Sequence, residues 1–359
     1  MFRKQKREAG ITRRHLRWPA LAACVGLVLA CAALAGGPAA ASPKASGART
    51  VAAVKPWVVS NPAASARAMR SKDWVRTPEG LVYKSCSYLV PAGALVKAQA
   101  GGTGEIVERS GAIVRIPRCG HPTLAYPRSS LTDAAKTMPS KVTPETASCA
   151  PQSPVNPHWW VESCWRDSTW LDYLNEEFSV PNDPADDGAL FFEFPGLADT
   201  GQDSILQPIL NWGVNPTIVT NPNIWYIMSE YAWSGTFVHS APMHISTPNT
   251  VIGSVTALGC NASGEGCTWD VTTSAGSAST SISVWTSPAF NVVYGGVLEV
   301  HNAAGCDKLP SDGHEAFRNL IVADSNGVAT PSLTPYTVNS ECSDHATVSS
   351  TNTDLFWTS

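Results

Sequence analysis

Two polar side chains stand in otherwise apolar, strand-like runs. Gln207 lies in Ile205-Leu206-Gln207-Pro208-Ile209-Leu210, and Glu299 in Gly295-Gly296-Val297-Leu298-Glu299-Val300. An unpaired polar group in such a run is costly, so each must complete its hydrogen bonds in the interior or face a cleft. Together they offer one definite chemistry. A carboxylate takes a proton from water as general base, and an amide N–H donates to the oxyanion of the resulting tetrahedral intermediate. With an ordinary pKa of about 4.3, such a base works in acid and needs no histidine. Other chemistries lack their residues. No G-x-S-x-G elbow exists, and Ser311-Asp312-Gly313-His314 crowds its groups too closely to imply a triad. His239, His244, His301 and His314 show no H-E-x-x-H spacing and read as structural or solvated. No strand carries the alternating acids of a retaining sandwich glycosidase. Asp183, Asp186 and Asp187 lack the regular spacing of a calcium loop and read as a solvated turn. No cofactor or metal is expected.

The elements that must position Gln207 and Glu299 are short strands. Apolar runs at 189–194 and 204–210 flank a Gly/Asp/Thr turn, and further runs fall near 223–231, 234–240, 250–257, 267–273, 280–286, 292–301, 316–323 and 333–338. The alternating segments around Ser274-Ala275-Gly276-Ser277 form a hairpin. Ten such strands without a helical period imply an all-β chain, a concanavalin-like two-sheet sandwich or jelly roll spanning 158–359. Trp159, Trp160, Trp165 and Trp170 cluster at its start and read as packing residues. Residues 73–122 hold four more short runs, with Cys86 and Cys119 near the ends, a small disulfide-closed β module. Segments 42–72 and 123–157, rich in Ala, Ser, Pro and Thr, read as a flexible linker or pro-segment and a second linker.

Residues 1–41 have the form of an export signal, with seven Lys/Arg in the first 17 residues, an apolar run and Ala39-Ala40-Ala41 before Ser42. Arg13-Arg14 resembles a twin-arginine signal, and Cys31 a lipoprotein site, although an ordinary secretory leader is the simpler reading. The mature chain is expected outside the cell, with no membrane span. Eight cysteines follow the leader, an even number in an exported chain and hence a disulfide framework. Sequential neighbours give the simplest pairing: 86–119, 149–164, 260–267 and 306–342. Charge is divided between the halves. Residues 42–149 hold 15 Lys/Arg against 6 Asp/Glu, whereas 150–359 hold 3 against 22. The basic part is expected to dock on the acidic one, nucleic acid is disfavoured, and the acidic part suits low pH.

The order of these segments is similar to that of the glutamic peptidases, the eqolisin family. The likeness rests on Ile205-Leu206-Gln207, the aromatic strand Ile224-Trp225-Tyr226-Ile227-Met228-Ser229-Glu230-Tyr231, and Gly296-Val297-Leu298-Glu299-Val300 followed by Ala316-Phe317-Arg318-Asn319-Leu320. It covers roughly residues 188–325 through short motifs. The resemblance implies a concanavalin-like sandwich and a secreted, acid-active endopeptidase with a basic pro-segment shed in acid. Gln207 would be the oxyanion donor and Glu299 the base, and Trp225 and Glu230 would line the cleft. One position departs. The family's late strand carries two glutamates four residues apart, and the first falls at Gly295, leaving Glu299 at the second on what strand alternation makes the same face. A lectin-like sandwich that binds extracellular polysaccharide through tryptophan is the alternative.

Overall fold

Three strands in the middle of the chain are buried along their whole length, while three that follow alternate between buried and part-exposed residues. Continuous burial marks a sheet covered on both faces, and alternation one that meets water on one side. The computed structural model of the chain describes residues 58–59, 61–125, 159–185, 189–213, 223–246, 249–261, 265–301, 303, 305–337 and 342–359. The leader, Cys31, most of both linkers, Cys149, Asp186 and Asp187 lie outside them.

The two-sided sheet has the order β22-β9-β19-β11-β12-β13-β14-β4, with β15 against β13. Its strands are β4 (Ser87–Leu89), β9 (Trp159–Arg166), β11 (Leu190–Asp199), β12 (Ser204–Trp212), β13 (Trp225–Trp233), β14 (Thr236–His239), β15 (Met243–Ile245), β19 (Phe290–His301) and β22 (Thr334–Thr337). The one-sided sheet runs β23-β24-β20-β10-β16-β17-β18-β5-β6-β7, with β21 on β20. It comprises β5 (Leu95–Gln99), β6 (Thr103–Val107), β7 (Ile113–Ile116), β10 (Tyr173–Ser179), β16 (Thr250–Gly259), β17 (Cys267–Ala275), β18 (Ala278–Thr286), β20 (His314–Asp324), β21 (Gly327–Ala329), β23 (His345–Ser349) and β24 (Asn352–Phe356). The fold is the expected β-sandwich. Two apolar clusters fill it, one around Trp269, Val284 and Trp233, the other around Trp212, Trp225 and Phe317.

A third, smaller sheet has the order β1-β8-β3-β2, from β1 (Val58–Val59), β2 (Trp74–Thr77), β3 (Gly80–Tyr83) and β8 (Thr123–Leu124). Helix α1 (Pro62–Ala68) precedes β2, with Asn61 as N-cap accepting from the Ala64 N–H and Pro62 in the first turn. Part of the segment read as linker is therefore ordered. Ala68, Leu81, Val82 and Leu124 pack on Phe192, Phe194, Ile205 and Ile209, so this small sheet covers the outer face of the two-sided sheet. The pairs 86–119, 260–267 and 306–342 are disulfides as expected, and Cys164 is also disulfide-bonded.

One irregularity decides where the late strand points its side chains. The register of β19 shifts between Tyr294 and Val297 against β9, a β-bulge. A Cβ on Gly295 would lie 2.9 Å from both Leu333 methyls and 3.2 Å from Ser163 Oγ, and one on Gly296 would lie 2.9 Å from the Phe317 ring. Leu333 and Phe317 belong to the clusters between the large sheets, so both glycines face the sandwich interior. Simple alternation does not carry through the bulge, and position 295 does not share a face with Glu299.

Gly296 also has φ +130°, a conformation that side chains disfavour. Gly296→Ala should cost about 2–4 kcal/mol of unfolding free energy through strain and crowding. Gly259→Ala, with no atom near its Cβ, should cost under about 1 kcal/mol. Chemical denaturation of both variants checks the contrast.

Candidate active site

Cross-strand register assembles a polar row on the covered face. Glu230 of β13 lies directly opposite Gln207 of β12 on one side and His239 of β14 on the other. Directly opposed residues share a face with Cβ atoms about 5 Å apart. On the far side of Gln207, the register of Leu197 with Leu206 continues to Gly196, which lies opposite Tyr294. An amide, a carboxyl and an imidazole thus stand side by side, with a glycine beside the amide.

All three are buried. Gln207 and Glu230 are inaccessible to solvent, and neither Gln207 amide atom nor either Glu230 oxygen has a hydrogen-bond partner. Burial pushes the Glu230 carboxyl well above the usual carboxylate range, and the charge of Glu79 adds to it. Glu79 belongs to the β2–β3 turn of the covering sheet, where Thr77 Oγ1 donates to Gly80 O at 3.0 Å. It is itself buried, and desolvation lifts its pKa to about 7. The neighbouring Arg76 interacts with Tyr226, two turns of the pleat below Glu230. Burial lowers the pKa of the His239 imidazole, and in its neutral form Nδ1 donates to Ser240 O at 2.9 Å. That tautomer leaves Nε2 as an acceptor.

Glu299 is on the same face but in a different row, opposite Phe192, which lies opposite Asn211, which lies opposite Tyr226. Four residues along the strands and two strand steps separate it from Gln207, roughly 16 Å between Cα atoms. The expected Gln207–Glu299 contact is therefore not made. Position 295 adjoins this row, but the bulge turns it to the interior face, so it presents no side chain beside Gln207. Glu299 Oε1 lies 2.7 Å from His301 Nε2, both side chains fully buried. Trp225 is also corrected. Five residues before Glu230, an odd spacing, it points to the opposite face, where it packs on Trp212 at 5.4 Å in the core. His239 was not legible as a partner of Gln207, since only sheet order brings β14 beside β13. Among the described residues no group of three or more His, Cys, Asp or Glu could hold a metal, and no helix is long and apolar enough to cross a membrane.

Buried carboxyls recur beyond this row. Glu162, on the same face opposite Val297, has no partner for either oxygen, and desolvation raises its pKa to about 8. Glu176, Glu193 and Glu315 lie between the large sheets, and burial raises each well above the carboxylate range; Glu193 also raises Glu315.

No family model and no curated protein matches the chain. Among solved structures it is similar to scytalido-glutamic peptidase bound to a peptide-based transition-state analogue, at 14% identity and TM-score 0.41. A second structure of that peptidase with a transition-state analogue inhibitor gives 15% and 0.42. SCP-B, a member of the eqolisin family in complex with the tripeptide Ala-Ile-His, gives 15% and 0.39. Each match covers 56% of this chain and 98% of the other.

A carboxyl whose folded pKa lies above its unfolded value binds a proton more tightly in the folded state. Its stabilising effect is complete below the unfolded pKa of about 4.5 and is lost as pH rises. For Glu79 and Glu162 the loss runs from there to about 7 and about 8. The melting temperature should therefore be highest near about pH 4 and fall steadily to about pH 8. Glu162→Gln should remove part of that fall, being more favourable at the upper pH than at the lower by up to roughly 3–5 kcal/mol. Melting curves of both proteins across this range measure it, and a maximum at neutral pH would contradict the assignment.

Proposed function

We propose that the chain is a secreted, acid-acting hydrolase of polypeptides, in which Gln207 supplies the oxyanion donor and Glu230 the general base. One observation carries this reading. Gln207 and Glu230 lie side by side, fully buried and without hydrogen-bond partners, beneath a segment of their own chain. Polar atoms left unsatisfied in a permanent interior cost about 1–3 kcal/mol each. A face that carries several of them is explained if its working state is open to water or substrate. The substrate class follows from the kind of cover, a polypeptide hairpin whose Leu81 and Val82 pack on this face and whose buried Glu79 acts electrostatically on Glu230.

The pKa logic supports the same division of labour. Under the cover Glu230 is held protonated, and a neutral carboxyl is too weak a base to take a proton from water. With the cover displaced and water admitted, the desolvation that raises its pKa is relieved, and the carboxyl returns toward the acid range. It then takes a proton from a water poised against a scissile carbonyl, and the Gln207 amide donates to the oxygen that becomes negative. The basic N-terminal region docks on the acidic sandwich in this scheme and keeps it silent. Glu299, paired with His301 two rows away, supports the cleft from outside the reacting centre. The sugar-binding alternative finds less support, because no described tryptophan is exposed.

The test is digestion of an unfolded protein at about pH 3–4 by a chain lacking residues 58–83 and carrying Cys119→Ser. Gln207→Ala and Glu230→Gln should each lower the rate by about 100-fold or more, and Glu299→Gln by less than about tenfold. No digestion by the parent, or equal digestion by all variants, would remove the proposal. Loss in Glu299→Gln alone would move the base to Glu299.

A further inference from the structure

The part of the chain before residue 126 is built in two different ways. Residues 87–116 are woven into the sandwich. Strand β4 runs parallel to β14, with Ser87 opposite Phe237, and β5 runs parallel to β18, with Leu95 opposite Ser283. One short segment thus extends both large sheets. Val96, Ala98 and Ile106 are buried in the same cluster as Trp233, Val271 and Val284, and Thr236 Oγ1 donates to Gly102 O at 2.8 Å. Such a segment cannot leave without stripping a core and baring two sheet edges.

The remainder, α1 with β1, β2, β3 and β8, shares no ladder with either large sheet. It rests on the two-sided sheet through packed side chains, chiefly Ala68, Leu81, Val82 and Leu124. The chain passes between the two parts at 84–86 and again at 117–122, and the Cys86–Cys119 disulfide ties these passages together. The tip of the small sheet is the turn that sets Glu79 against Glu230.

We propose that residues 87–116 are permanent extensions of the sandwich, whereas the small sheet with α1 is a hinged cover. It turns about the Cys86–Cys119 passage and carries Glu79 as its plug over Glu230. The inference deepens the hydrolase reading by naming its regulation, but the motion itself does not depend on turnover.

The groups around Glu79 set the direction of the response. Glu230 faces it from β13, with Tyr226 on the same strand; His239 stands opposite Glu230 on β14; Arg76 lies on its own hairpin beside Tyr226. Burial disfavours the charged form of His239, so the two carboxyls are the groups whose ionisation builds charge between cover and sheet as pH rises. In acid both are protonated and the cover is shut. As pH rises, Glu79 ionises with a closed-state pKa of about 7 against about 4.5 in the open chain. From this group alone, closing at about pH 8 is roughly 200-fold less favourable than at about pH 4. Acid therefore tightens the cover, opposite to the expected shedding of a pro-segment in acid, and opening for catalysis in acid requires a cut in the cover.

Hydrogen exchange of the intact chain, read by mass spectrometry at about pH 4 and about pH 8 and corrected for intrinsic rates, tests this. Peptides from 74–83 should lose protection by about 100-fold or more at the higher pH, while those from 95–107 keep theirs. Glu79→Gln should restore at least about tenfold of the lost protection. Equal opening of both segments would overturn the division into cover and extension. Equal protection of 74–83 at both pH values, or a Glu79→Gln chain as pH-sensitive as the wild type, would overturn the plug. The wild-type comparison stands alone if the variant does not fold. Because exchange reports opening without turnover, failure here and failure of the hydrolase reading are distinguishable.

Discussion

A sheet face that carries acids and is covered by protein must keep those acids uncharged, and much of this structure answers to that constraint. Glu230, Glu162 and Glu79 lie on or over one face of the nine-stranded sheet, each buried, and the carboxyls of Glu230 and Glu162 have no hydrogen-bond partner. Ionising any one of them in place would leave a charge in a medium of low polarity, a cost of several kcal/mol. Holding a proton is the cheaper state, and acid supplies it. Between the large sheets Glu193 and Glu315 add a second pair under the same rule, each raising the energy of the other's charge. The acidity of the C-terminal half is thus more than a matter of solubility, since part of it lies inside the fold.

The same constraint orders the parts of the site. Gln207, Glu230 and His239 meet because three consecutive strands pair in simple antiparallel register, so their alignment follows from the β12–β13–β14 meander. Glu299 arrives from a distant strand, and the bulge at Gly295-Gly296 resets which residues of β19 reach the covered face. A side chain at 295 would collide with Leu333 and Ser163 in the interior. A carboxylate could not serve the cleft from there, and Glu230 is the acid left beside Gln207. Two rows further along the same face, Glu299 makes its own pair with His301.

Much of the architecture was legible from residue patterns. The long apolar runs at Leu190–Asp199 and Ser204–Trp212 and the alternating runs at Cys267–Ala275 and Ala278–Thr286 fell where strands form. The cysteine spacing gave three of the disulfides. Strands β9, β10, β15, β21, β23 and β24 were missed: the tryptophans of β9 read only as packing residues, β15 and β21 have three residues each, and Glu176-Glu177 and the Ser/Thr-rich C-terminal stretches lack an apolar signature. In the site, Gln207 and Glu230 stood out as polar residues in apolar strands, but their pairing did not, since register between strands is a tertiary property. Trp225 was misplaced through a parity that the sequence already contained, five residues from Glu230. The bulge hid the geometry of Glu299, and the covering role of α1 and β1 was masked by a composition typical of linkers, while β2 and β3 read as part of the 73–122 β module.

The account depends on a proton held by Glu230 beside Gln207 while the cover is shut. Infrared spectroscopy of the intact chain at about pH 6, where an ordinary glutamate is ionised, observes that proton through the carboxylic-acid C=O stretch. The wild type should show this band, and Glu230→Gln should lose a resolvable part of it. A wild-type spectrum containing only carboxylate bands at that pH, or a band unchanged by the substitution, would contradict the account.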